Sequence, residues 1–88
     1  MNIEEQLRNA LRYRYAKSIL HKSEPVAKWG TFRLEKKRLA EVMNVTTETL
    51  QKVLDKIYED GGICKDDGQM VDFKKEYIWS LGAPKYFD

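Results

Sequence analysis

Few side chains in the sequence have the chemistry of catalysis or of metal binding. The chain contains one histidine, His21, and one cysteine, Cys64. A single copy of the chain therefore lacks the residues for a disulfide, for a Cys/His zinc site or for a catalytic triad. The sequence also has no glycine-rich phosphate loop of the Walker or dinucleotide-binding type. We expect a protein that is not an enzyme and that uses no metal or other cofactor.

The side chains with the clearest binding chemistry are basic, and they are unevenly distributed. Residues 1–40 contain ten Lys and Arg against four Asp and Glu, a net charge of +6. Residues 41–88 contain six against ten, a net charge of −4, so that the whole chain has only +2. This asymmetry favours one basic face for a polyanion or an acidic partner. A solvated surface with uneven charge is the alternative.

The densest group of basic residues lies before and within a short predicted helix. It comprises Arg33, Lys36, Lys37 and Arg38. Alternating polarity predicts a strand over residues 31–34, and a helix follows from Glu35 to Met43 with its apolar residues facing inward. Cationic side chains at a helix N-terminus oppose the helix dipole, so their position favours a binding role over a plain solvated run.

A longer helix is predicted at the start of the chain. Its apolar residues recur at every fourth position: Ile3, Leu7, Leu11, Tyr15 and Ile19. This spacing predicts a helix from about Ile3 to His21 with one buried face. The following segment, 23–25, ends in proline, and the residue before a proline avoids the helical conformation.

Beyond Met43 the sequence predicts a tight turn and another helix. Asn44 suits the turn because asparagine tolerates a left-handed backbone. Thr46 or Thr47 can cap the next helix by accepting a hydrogen bond from a free backbone N–H. That helix continues to about Asp60, and the glycine pair at 61–62 ends it.

A hairpin and an aromatic tail complete the chain. Two strand-like segments, 63–66 and 69–73, flank an Asp-Gly pair, which is a strong hairpin signal. We expect Cys64 to pack within this hairpin as a small apolar group. The tail, 74–88, is expected to form one more helical turn around residues 77–79.

Five aromatic residues lie outside the predicted helices and hairpin or in the tail. They are Trp29, Tyr77, Trp79, Tyr86 and Phe87. Such residues either complete the core or form the interface of a homodimer, because aromatic side chains are enriched at interface centres. Base stacking is a weaker third interpretation, since no basic residues are interleaved with them in the tail.

This order of elements resembles that of the winged helix-turn-helix superfamily, over roughly residues 3–73. The resemblance is carried by the segment 38–50, in which Ala40 occupies the small position where two helices cross. Val45 and Leu50 occupy its usual apolar positions, and Asn44 replaces the glycine that is frequent at the turn. The resemblance implies one domain, mainly α with a small β-hairpin (α+β). Its parts are an N-terminal helix (1–22), a helix-turn-helix (35–60), a wing (61–73) and a C-terminal extension (74–88).

The resemblance further implies binding to double-stranded DNA and a role in transcription regulation or another DNA transaction. The second motif helix would enter the major groove, the basic group would contact phosphates, and the wing would lie beside the minor groove. The implied contacts beyond the basic group are Thr46, Thr47, Glu48, Gln51, Lys52, Lys56 and Lys65. Gln51 suits adenine, Lys52 suits guanine or phosphate, and Glu48 suits cytosine.

The acidic residues of the same region support a different function. Asp66 and Asp67 in the wing would be repelled by a DNA backbone, unless they serve only the geometry of the turn. A protein–protein interaction module is therefore the alternative, with an acidic face for a basic partner: Glu48, Asp55, Glu59, Asp60, Asp66 and Asp67.

The chain carries no signal for a membrane, a signal peptide or a small-molecule substrate. Its longest apolar run, residues 77–79, is far shorter than the roughly 18 residues of a membrane span. The N-terminus is polar rather than apolar, so we expect an intracellular, cytoplasmic protein without a signal peptide. By analogy with small winged helices, a prokaryote, its viruses or its plasmids are the expected sources.

Overall fold

Four helices and a three-stranded sheet are present in the computed structural model, which describes residues 2–82. The elements are α1 Ile3–Leu20, β1 Thr31–Glu35, α2 Lys36–Met43, α3 Thr47–Glu59, β2 Ile63–Asp66, β3 Met70–Lys74 and α4 Lys75–Ser80. The α+β class and the order of the elements agree with the sequence-based predictions. None of the helices formed by the described residues has the length and apolar character that crossing a membrane requires.

The sheet is larger than the predicted hairpin because β1 joins it. All neighbours are antiparallel, and β3 lies in the centre with β1 on one side and β2 on the other. The pairing of β1 with β3 runs from Thr31 opposite Lys74 to Glu35 opposite Met70. The register between β2 and β3 shifts at Cys64, which is exposed. The prediction that Cys64 packs within the hairpin was therefore wrong, because the irregularity at this position turns its side chain to the surface.

Helix α1 supplies one wall of the core and also anchors the loop that follows it. Leu7, Leu11 and Tyr15 are fully buried, as the spacing predicts. The Tyr15 hydroxyl donates a hydrogen bond to the carbonyl of Ala27 (2.7 Å), and the indole N–H of Trp79 donates to the same carbonyl (3.0 Å). These two bonds fasten the loop after α1 to the core, since buried polar groups must find partners.

The turn between α2 and α3 has the predicted geometry. Asn44 adopts a left-handed conformation with φ of 57°, and the N–H of Val45 bonds back to the carbonyl of Ala40 (3.0 Å). Thr46 caps α3, because its hydroxyl oxygen accepts a hydrogen bond from the N–H of Thr49 (3.1 Å). Local chemistry alone is sufficient to set this turn and cap.

Helix α4 follows β3 without a loop, and its first residue is a buried lysine. Lys75 is 5% exposed, and its ammonium forms an ion pair with Glu24 of the loop after α1. Its backbone N–H donates to the carbonyl of Gly30 (2.9 Å). A buried ammonium is tolerated only when it is paired, so the ion pair between Lys75 and Glu24 ties α4 to the loop after α1.

We predict that Glu24→Gln lowers the free energy of unfolding by about 3 kcal/mol, because it leaves the buried Lys75 charge without a counter-ion. Urea denaturation measures this change. The double variant Glu24→Gln/Lys75→Met is the matched control, since it removes both charges and should recover most of the loss. Equal stability of the wild type and the single variant would contradict the assigned role of the pair.

Candidate nucleic-acid interface

An open groove of about 790 Å³ lies where three elements approach one another. Its walls are the first turn of α2, the N-terminal half of α3 and the β2–β3 turn. We call it the α3 groove, and it is lined by Glu35, Lys36, Lys37, Thr47, Glu48, Gln51, Gly68, Gln69 and Met70. The structure thus brings together residues from three of the segments that the sequence marks as candidate DNA contacts.

The four basic residues of the predicted phosphate-contacting group do not form one patch. Arg33 forms a salt bridge with Asp72 across the sheet (2.8 Å). Lys36 is 8% exposed and points inward, whereas Lys37 lines the α3 groove. Arg38 lines a different cleft, beside α1. Successive helical residues are about 100° apart, so neighbours in sequence face different directions.

Lys36 is the centre of a polar network that joins α2, α3 and β2. Its ammonium pairs with the carboxylate of Asp66 (2.8 Å) and donates a hydrogen bond to the side-chain oxygen of Gln51. The Gln51 amide in turn donates to Asp55 (2.8 Å) and to Asp66 (3.2 Å). Two candidate contacts, Lys36 and Gln51, therefore have their polar groups engaged within the chain. Sequence reasoning missed Asp66 as their partner, because the contact spans 30 residues and leaves no periodic signal.

Asp66 is ionised at neutral pH and helps to hold the turn. Burial alone would raise the pKa of this carboxyl, but hydrogen bonds from Lys36, Gly68 N–H and Gln51, together with the Lys36 charge, outweigh burial. The pKa consequently lies below its ordinary value of 3.8. The Gly68 N–H donates to Asp66 at 3.0 Å, and Gly68 has a φ of +94°, which favours glycine.

Asp67 also serves the geometry of the β2–β3 turn. Its carboxylate accepts hydrogen bonds from the backbone N–H groups of Met70 (2.7 Å) and Gln69 (2.9 Å). These two bonds lower the pKa of the Asp67 carboxyl. Both acidic residues of the turn thus have a structural role, in agreement with the prediction that they serve the geometry of the turn.

The start of α3 presents small polar and acidic groups to the groove. Thr47 and Glu48 line it, while the hydroxyl of Thr46 is used as the helix cap. Lys52 is exposed on α3. The groove therefore offers a carboxylate and a hydroxyl beside cations, and it is not uniformly basic.

The two remaining basic candidates differ in their pairing. Lys56 lies on the far part of α3 and bonds to Glu4 of α1 (2.7 Å); the hydrogen bond from Lys56 lowers the pKa of the Glu4 carboxyl. Lys65 is exposed on β2, where its charge acts on Asp67. Lys37 and Lys52 form neither an ion pair nor a hydrogen bond with residues 2–82, so their charges are available to a ligand.

The aromatic residues predicted to complete the core or form a dimer interface differ in burial where the structure describes them. Trp79 and Tyr77 are half-buried and pack against the core, and the Tyr77 ring leaves no room for a Cβ at Gly62. Trp29 is 70% exposed. Tyr86 and Phe87 lie outside the described residues. Core completion thus accounts for Tyr77 and Trp79, and a homodimer stays a prediction.

Titratable groups of the described chain do not assemble into a metal centre. Across residues 2–82, no three His, Cys, Asp or Glu side chains approach one another closely enough to hold a metal ion. The carboxylates of Asp66 and Asp67 in the adjacent turn are instead bonded to N–H groups and, for Asp66, to Lys36. The chemistry available at the groove is therefore hydrogen bonding and charge pairing.

We predict that the Asp66 carboxylate makes stability dependent on pH in the acidic range. Because its folded-state pKa is lowered, its contribution is complete well above 3.8 and decreases as the pH falls through the lower folded-state value. Asp66→Asn should therefore flatten the loss of unfolding free energy between pH 7 and pH 3, as measured by urea denaturation.

The same variant should also destabilise the protein at pH 7, since Lys36 would keep a buried charge without a counter-ion. Glu59→Gln, at an exposed position of α3, is the matched control. Parallel pH profiles for the wild type and Asp66→Asn would show that the Lys36–Asp66 pair does not contribute as described.

Comparisons with known proteins leave the site to be interpreted from its own chemistry. No protein-family model, no curated protein and no solved structure matches the chain.

Proposed function

We propose that the chain is a winged helix-turn-helix protein that binds double-stranded DNA through the α3 groove. The observation that carries this proposal is the convergence of the α2 N-terminus, the start of α3 and the β2–β3 turn on one groove. In helix-turn-helix docking the N-terminal residues of the second helix contact base edges, and the preceding helix crosses the backbone. The proposed role is transcription regulation or another DNA transaction.

The proposed base contacts come from the start of α3. Glu48 can accept a hydrogen bond from the amino group of cytosine, and Thr47 can bond to several base edges. Gln51 could bond to adenine only by giving up its hydrogen bonds to Asp55 and Asp66. We therefore assign the reading of sequence chiefly to Thr47 and Glu48, and assign Gln51 to the positioning of the groove.

The proposed phosphate contacts are two lysines of α2 and α3 that residues 2–82 leave unpaired. Lys37 lines the groove, and Lys52 is exposed one helical turn beyond Glu48. Lys36 cannot serve in this way while it neutralises Asp66, so it holds the turn against α3 instead. Two free lysines of the described residues are thus assigned to phosphates, a number that predicts weak affinity for a single copy and favours a homodimer on two half-sites.

One observation favours the protein–protein alternative. Asp55, Glu59 and Asp60 are exposed at the far end of α3, where Lys56 is already paired with Glu4. This part of the surface is acidic and would suit a basic protein partner.

The proposal predicts that Lys37→Gln/Lys52→Gln weakens binding to all duplexes alike. Each lost phosphate contact should reduce the slope of log affinity against log salt concentration by about one, hence by about two for the double variant. Fluorescence anisotropy with a labelled mixed-sequence duplex, titrated from low to near-physiological salt, measures the slope. Lys28→Gln/Lys74→Gln is the matched control because it removes the same charge elsewhere.

Two results would overturn the assignment to the α3 groove. The first is an unchanged slope in Lys37→Gln/Lys52→Gln when the wild type binds DNA. The second is absence of duplex binding at low salt together with recovery of a stoichiometric basic protein partner, which would favour the acidic face. A changed sequence preference in Glu48→Gln, at a similar salt slope, would support base contact by α3.

A further inference from the structure

A second cleft, of about 260 Å³, lies between the C-terminal half of α1, strand β1 and helix α2. We call it the α1 cleft. Arg14, Lys17 and His21 line it from one face of α1, since they are spaced at i, i+3 and i+7. Arg38 lines it from α2. No Asp or Glu is among the described residues that form its walls.

The cations of the α1 cleft belong to the part of the positive charge that has no counter-ion among residues 2–82, as do Lys37 and Lys52. Arg14, Lys17 and Arg38 form no ion pair within residues 2–82. Ion pairs with carboxylates are instead formed by Arg8, Arg33, Lys36, Lys56 and Lys75. Three unpaired cations are thus brought together in one concave site, which focuses their field on an incoming anion.

Two arginines of the cleft are in positions that cost free energy. The Nε atom of Arg14 is buried and has no hydrogen-bond partner among the described residues, a state that costs free energy. Arg38 lies in the first turn of α2, where a cation opposes the helix dipole. An anion between Arg14 and Arg38 would offset the unfavourable dipole interaction at Arg38, since guanidinium groups bind phosphate oxygens in a forked geometry.

An aromatic side chain beside the cations favours a nucleic acid over an inorganic anion as the ligand. Tyr13 lines the cleft and is 54% exposed, and the ammonium of Lys17 lies 5.9 Å from the centre of its ring. Exposed rings beside cations occur in grooves that bind single-stranded nucleic acid, where the cations follow the backbone and bases stack on the rings. An isolated inorganic anion would use the cations alone.

We propose that the α1 cleft is a second nucleic-acid contact, in which Arg14, Lys17 and Arg38 hold backbone phosphates. It faces another direction than the α3 groove, because Lys37 and Arg38 are successive residues of α2 and point about 100° apart. The inference shares with the proposed function only the class of ligand, and it does not depend on any residue of the α3 groove.

The test compares charge-removing with charge-keeping variants in anisotropy titrations with the labelled duplex. Arg14→Gln/Arg38→Gln should reduce the salt slope by about two, whereas Arg14→Lys/Arg38→Lys should keep most of it. Lys28→Gln/Lys74→Gln again controls for overall charge. The single variant Arg38→Gln, at an exposed position, should reduce the slope by about one even if changes at Arg14 impair folding.

Each outcome separates this inference from the proposed function. A slope reduced by the cleft variants but not by Lys37→Gln/Lys52→Gln supports the α1 cleft and overturns the α3 groove. The opposite pattern overturns the α1 cleft alone. A titration with inorganic phosphate, followed by amide chemical shifts, tests whether the cleft binds free phosphate instead of the phosphates of a nucleic acid. Shifts around the cleft, combined with unchanged duplex binding by the cleft variants, would assign the site to free anions and overturn the inference.

Discussion

Two buried ammonium groups, each of which needs a counter-ion, constrain how the distant segments of this structure pack. Strands β1 and β3 are antiparallel neighbours, and each continues without a loop into a helix that begins with a lysine, Lys36 or Lys75. In both cases the lysine N–H bonds to a carbonyl beyond the neighbouring strand, that of Gln69 or Gly30. Both ammonium groups are buried, so each must be neutralised by a carboxylate from a distant segment.

The pair at Lys36 also determines the chemistry of the α3 groove. Asp66 neutralises Lys36 and, through its bond to the Gly68 N–H, shapes the β2–β3 turn. Gln51 joins both, so that the turn, α2 and α3 are held at fixed positions. A positioned groove is useful for recognition because side chains that are already ordered lose little entropy on binding. Because of the same bonds, the Lys36 ammonium and the Gln51 amide are not available to a ligand.

The distribution of unpaired charge therefore matters more than the number of basic residues. Exposed acidic groups follow Lys52 on α3 and lie in the β2–β3 turn, whereas the unpaired Arg14 and Arg38 line the cleft beside α1. A net charge of +2 conceals this separation. At moderate salt, exposed charges that are more than about 10 Å from a phosphate are largely screened. A local cluster of charge therefore governs an encounter with DNA more than the total charge does.

The sequence by itself determined the elements and their local geometry. The burial of Leu7, Leu11 and Tyr15, the left-handed turn at Asn44 and the cap at Thr46 all follow from periodicity or from interactions a few residues apart. Only the tertiary structure decided which charges are available. The partners of Lys36, Lys75 and Arg33 lie 30 or more residues away, and such pairs depend on how strands and helices pack. A run of basic residues shows where charge exists, whereas packing decides which way each side chain points and which carboxylate neutralises it.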